Sequence, residues 1–265
     1  MEYMVEAFRE AGLEPRLHPF RFRGRRFWNV AASVEGALPE APRVLLGAHY
    51  DTVPGSPGAD DNASGLALLA EAAHALADEP LRATVELVAF DLEEFRGTTY
   101  RVGSRRWVQR ALARGIPYSA AFILEMVGYC DPTPGAQWVP FPVNLKGVPT
   151  TGDFIAAVGD GRARPLLEHF RLSSHRAAPA LNVVSLHSPL RGWLLPNTRR
   201  SDHVSFWAAG LPALMITDTA FLRNPHYHRA SDTADTLDYA FLSQVTAATV
   251  EAARRRARFP PDTGR

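Results

Sequence analysis

At 265 residues the chain is long enough for an α/β domain to bury roughly 70 to 75% of the surface its unfolded form exposes, so it needs neither disulfides nor a metal merely to fold. Its 46% hydrophobic and 22% charged residues are ordinary for a globular protein, and no stretch approaches the roughly 20 apolar residues of a membrane span. The formal net charge of +1 supplies no long-range field for nucleic acid or anionic lipid, so neither is an expected partner.

Met4, Val5 and Phe8 share one face of a predicted helix over 2–10, and Gly12 supplies its left-handed stop. Strands are expected over 29–34 and 43–48, the second (RVLLGA) a nearly continuous apolar run suited to burial on both faces of a sheet. A helix over 64–77 places Leu66, Leu69, Ala70, Ala73 and Leu76 on one side. The alternation continues with a strand over 84–90 (TVELVAF), a helix over 100–114 closed by Gly115, and a strand over 120–124 (AAFIL).

After Cys130 the proline-rich DPTPGAQWVPFPVNLKGVP predicts an irregular surface excursion near the site, because each proline removes a donor and constrains its predecessor. Beyond it come a strand over 154–158, a helix over 165–170, a short helix over 201–209 stopped by Gly210, a strand over 213–217 (ALMIT) and a long helix over 238–258. The order implies one domain over 1–265, a three-layer α/β/α sandwich around a mixed, largely parallel sheet. Arg254, Arg255, Arg256 and Arg258 then complement the dipole of the last helix rather than forming a nucleic-acid patch. With Cys130 the only cysteine, no intrachain disulfide forms, and MEYMVEAFREAG lacks the basic start and apolar core of a secretory signal. Both facts lean towards a cytoplasmic location.

Ligands of open α/β sheets bind beyond the carboxyl ends of the strands. His49 and Asp51 follow RVLLGA, Glu93 and Glu94 follow TVELVAF, Glu125 follows AAFIL, and His228 lies in the loop after ALMIT. Asp60 and Asp61 form an acidic turn before the helix that starts near Ser64. Imidazole with carboxylate and no thiolate suits zinc in an open catalytic site, and cobalt or manganese accept the same donors. A single histidine or glutamate pair is usually just solvated. Two adjacent carboxylates directly after a buried strand are different, because they repel and desolvate unless a cation compensates them.

The segments GAHYDTVPGSPGADDNASG, FDLEEFRGTTYRVGS, LEMVGY, SDHVSFW and NPHYHRASDTADTLD resemble, in order and spacing, the zinc-dependent M28 peptidases. The resemblance implies a zinc-exopeptidase fold holding two zinc ions. His49 and Glu125 would bind one, Glu94 and His228 the other, and Asp61, which directly precedes Asn-Ala-Ser-Gly, would bridge them. It further implies that Glu93 is the general base that deprotonates the attacking water, and that Asp51 orients a ligating imidazole. Asp202 and His203 position substrate or oxyanion in one reading; in the other the aspartate only caps its helix. His18, His74, His169, His175, His187 and His226 are given no ligand role. Phe141, Trp193, Phe206, Trp207 and Phe221 are candidates for a side-chain pocket.

The implied activity is aminopeptidase action on peptide or aminoacyl substrates. Glu125 stands where many members have aspartate, which leaves a carboxypeptidase or dipeptidase preference open. A single-zinc glutaminyl cyclase on the same fold and a non-catalytic binding module are the other readings.

Overall fold

The apolar runs of the sequence become the inner strands of one eight-stranded sheet in the computed structural model, which describes residues 1–94 and 101–261, the side chains of 145 and 146 aside. The strands are β1 (Arg16–Phe22), β2 (Arg25–Val34), β3 (Arg43–His49), β4 (Val85–Phe90), β5 (Tyr118–Leu124), β6 (Phe154–Gly159), β7 (Asn182–His187) and β8 (Ala213–Thr217). They lie in the order β1-β2-β4-β3-β5-β8-β6-β7. The central four, β4-β3-β5-β8, run parallel, whereas β1, β2 and β4 pair antiparallel at one side and β8 pairs antiparallel with β6 at the other.

Strand periodicity then sorts the core into two layers. Leu46 and Leu87 face the layer formed with Phe8 of α1 (Glu2–Glu10), Leu69 of α2 (Gly65–Leu76), Phe170 of α4 (Arg164–Ala177) and Val245 of α6 (Tyr239–Arg258). Their chain neighbours Leu45 and Val88 face Trp107 of α3 (Val102–Ala113) and Phe206 of α5 (His203–Ala208). The expected three-layer sandwich around a mixed sheet is therefore what the chain adopts.

Two strands escaped the sequence. β1 carries Pro19 and three basic residues, tolerable because it is an edge strand with one unpaired side. It turns into β2 through Arg23 and Gly24, both at positive φ (47° and 78°), the backbone that a two-residue hairpin loop requires. β7, the other edge, is only partly buried; Val184 and Leu186 pack on the layer of α3 and α5, but exposed Asn182 and Ser185 break any continuous apolar run. The helix expected over 165–170 runs on to Ala177, and of the helix expected over 100–114, residue 100 lies outside the described residues. At α6 the Asp238 carboxylate caps the start by accepting from the Phe241 N–H at 2.9 Å. At its other end Arg254 and Arg258 both pair with Glu79, and Arg256 donates to the Ser119 carbonyl, which ties the basic cluster to the fold.

α3 presses directly on the end of β4, where the acidic pair begins. The Gly103 N–H donates to the Asp91 carbonyl at 2.9 Å, and a Cβ at Gly103 would lie 2.3 Å from that oxygen and 2.5 Å from Asn29 Oδ1. Gly103→Ala is expected to lower stability by about 1 to 3 kcal/mol through overpacking. Urea unfolding checks this, and an unchanged midpoint would contradict the contact.

Candidate metal centre

β3 delivers His49 at its last residue, fully buried. The His49 Nδ1–H donates to the Asp51 carbonyl at 2.9 Å, which leaves Nε2 with its lone pair turned inward. That Nε2 lies 3.2 Å from Asp61 Oδ1 and 3.6 Å from Glu125 Oε2, just past the end of β5. On the other side of Asp61, His228 Nε2 lies 3.1 Å from Asp61 Oδ2 and 3.2 Å from Glu94 Oε1. Two triads, His49-Asp61-Glu125 and Asp61-Glu94-His228, thus share one carboxylate that offers an oxygen to each.

The spacing fits a metal. Ligand atoms about 2.0 Å from a tetrahedral zinc stand roughly 3.3 Å apart, close to all four distances above. His49 Nε2, Asp61 Oδ1 and Glu125 Oε2 are buried without a hydrogen-bond partner, as expected of donors shaped for a cation.

Backbone clips hold this arrangement. The Asp51 carboxylate accepts from the backbone N–H groups of Glu93 (3.0 Å) and Glu94 (2.9 Å). The buried Asp232 carboxylate does the same for Asp60 (2.9 Å) and Asp61 (3.2 Å). Asn62 brackets Glu125, donating to the Leu124 carbonyl at 2.9 Å and accepting from the Met126 N–H at 3.1 Å. Asp61 and Asn62 leave helical φ/ψ before α2 begins, which turns the Asp61 side chain into the cluster. Asp60 faces elsewhere, accepting from Gly128 N–H (2.9 Å) and the Asn224 amide (2.7 Å).

The other candidate residues divide between the site, the core and the cavity. Asp51 orients His49 through its carbonyl, since its carboxylate, 3.8 Å from Nδ1, is committed to the backbone after β4. Asp202 makes no cap bond at α5; both its oxygens are buried and unpartnered, and burial lifts its pKa to about 6. His203 is a core histidine that donates to the Thr198 carbonyl at 2.8 Å and packs edge-on against Trp207, and burial lowers its pKa to about 3. His226 bonds to Ser231 at 3.0 Å and joins neither triad. Phe206 and Trp207 are core, whereas Phe141 and Phe221 line a cavity and Trp193 packs under Arg199. Asp232 and Asn62 went unrecognised; the Asn-Ala-Ser-Gly element was the signal for the second.

Glu93 is buried beside the triads with both carboxylate oxygens unpartnered. Burial and then the neighbouring Glu125 push its pKa well above the carboxylate range. Burial likewise raises Glu125 to about 7 against the attraction of His49. Burial opposes a charge on His228, yet its bonds to Asp61 and Glu94 raise its pKa to about 9. Glu125 also lines a largely apolar cavity of about 340 Å³, as does Tyr227, whose ring stacks on His228 at 3.7 Å.

Asp51→Asn replaces one acceptor with a donor facing backbone N–H groups. It is expected to weaken zinc binding about 10- to 100-fold, the usual effect of losing a group that orients ligands. Chelator competition measures this, and unchanged affinity would remove Asp51 from the account.

The family profile described as peptidase family M28 matches residues 29–253. The uncharacterized protein YfbL of Escherichia coli is 36% identical over 92% of this chain and 76% of its own length. Aminopeptidase YwaD of Bacillus subtilis is 28% identical over 80% of this chain, which spans only 41% of that relative's length. Among solved structures, the LapA aminopeptidase of Legionella pneumophila superposes with a TM-score of 0.75 at 22% identity, covering 98% of this chain and 63% of that one. A glutaminyl cyclase of Porphyromonas gingivalis superposes at 0.70 and 20% identity, covering 96% and 88%. These structures share the fold, and the profile match over most of the chain carries the assignment: the protein belongs to peptidase family M28.

Proposed function

We propose that the protein is a zinc-dependent aminopeptidase, with two ions held by His49, Asp61 and Glu125 and by Asp61, Glu94 and His228. The observation that carries this reading is the pair of donor triads sharing Asp61, with an unpartnered, buried Glu93 beside them. The chemistry zinc supplies in such a site is Lewis acidity, which brings the pKa of a water towards neutrality and polarises the scissile carbonyl.

The remaining work belongs to the chain. Glu93 takes a proton from the attacking water and returns it to the leaving amine. Its two free oxygens suit it to both halves of that exchange, and cations nearby would draw its raised pKa back towards the working pH. Glu125, which belongs to one triad and also lines the cavity, presents a negative charge to the substrate's α-ammonium, which makes a free amino terminus the recognised end. The apolar walls take the first side chain and exclude water from the bond being cut.

Glu93→Gln is expected to lower kcat on leucyl-p-nitroanilide by about 100- to 10,000-fold, the range for losing a general base, with zinc content unchanged. Full activity in that variant would refute the assigned role. Blocked N-acetyl-leucyl substrates should resist cleavage. Release of C-terminal residues from blocked peptides would move the reading to a carboxypeptidase, and conversion of glutaminyl peptides to pyroglutamyl products would move it to a cyclase.

A further inference from the structure

Among the described residues, two charged side chains line the apolar cavity: Glu125 at the metal end and Arg200. Arg200 has no carboxylate partner among the described residues. Its guanidinium sits 4.8 Å over the Phe221 ring, which shares the cavity wall, and it lies within electrostatic reach of the Tyr227 phenol that covers His228. The two residues before it are anchored. The Thr198 carbonyl accepts from buried His203 at 2.8 Å, the Arg199 carbonyl accepts from Arg101 at 2.7 Å, and the hydroxyls of Ser188 and Thr198 bond at 2.6 Å. An exposed cation with no carboxylate partner among the described residues, resting on an aromatic wall of an apolar pocket, is a receptor for an anion that arrives with an apolar group.

We propose that Arg200 binds the free α-carboxylate of a short substrate, and that the preferred substrate is a dipeptide with an apolar first residue. This rests on the aminopeptidase reading, which puts the α-ammonium at Glu125. A dipeptide zwitterion then finds its ammonium matched by Glu125, its side chain by the apolar walls and its carboxylate by Arg200. A cavity of about 340 Å³ lies at the small end of ligand sites, large enough for such a molecule.

The test compares Leu-Leu, its C-terminal amide and Leu-Glu amide as substrates of the zinc-loaded wild type, Arg200→Met and Arg200→Lys. Wild type should favour Leu-Leu over its amide about tenfold or more in kcat/KM, as one charge-assisted contact allows. Arg200→Met should lower the rate on Leu-Leu far more than on the amide, and Arg200→Lys should recover part of the preference. Tryptophan fluorescence follows, without turnover, binding of the reduced-bond analogue of Leu-Leu, which should weaken in Arg200→Met while its amide does not. Equal treatment of Leu-Leu and its amide by wild type would overturn the proposal, as would Leu-Glu amide matching Leu-Leu, because the anion read would then be a side chain. Failure to cleave any of the three would count against the aminopeptidase reading, while carboxylate-dependent binding of the analogue would still uphold Arg200.

Discussion

Four carboxylates, Asp61, Glu93, Glu94 and Glu125, are buried together beyond the ends of β4, β5 and the turn before α2, with one fully buried imidazole among them. So much like charge withdrawn from water is strongly unfavourable unless positive charge enters the cluster. Protons on the cluster's own groups or bound metal ions can supply it. Bonds to Asp61 and Glu94 raise the His228 pKa to about 9 against its burial, and burial raises those of Glu93 and Glu125. Metal ions would remove this conflict by replacing protons, so binding them is coupled to proton release.

Holding such a cluster in shape falls to its neighbours. Each acidic dipeptide, Glu93-Glu94 and Asp60-Asp61, is fastened by one aspartate that accepts both of its backbone N–H groups, and Asn62 fastens the residues around Glu125. These clips act on the backbone rather than on the donors, which stay free for a cation. The parallel centre of the sheet brings the strand ends to one edge, and the clips turn that proximity into distances of 3.1 to 3.6 Å.

The sequence carried the donors and hid most of what positions them. His49, Glu93, Glu94 and Glu125 were legible because His49 and Glu125 directly follow an apolar run, and Glu93 and Glu94 come within four residues of one, whose burial could be read from composition. Asp61 and His228 needed the motif order, since a turn and a loop have no periodicity to locate them. Asp232 stands 172 residues from the backbone it holds, a contact created only by tertiary structure. Edge strands β1 and β7 were illegible for a related reason: half-exposed strands do not need the continuous apolar run that marks inner ones. Arg199 and Arg200 are indistinguishable in sequence, yet one packs on Trp193 and the other faces the cavity.

The central claim is that Asp61 serves two ions at once. Zinc content of the purified, metal-saturated protein tests it most directly, with Asp61→Ala measured beside the wild type. The account predicts two equivalents per chain in the wild type and weakened binding of both in the variant. A single equivalent at saturation, or a variant that loses only one of two, would contradict it.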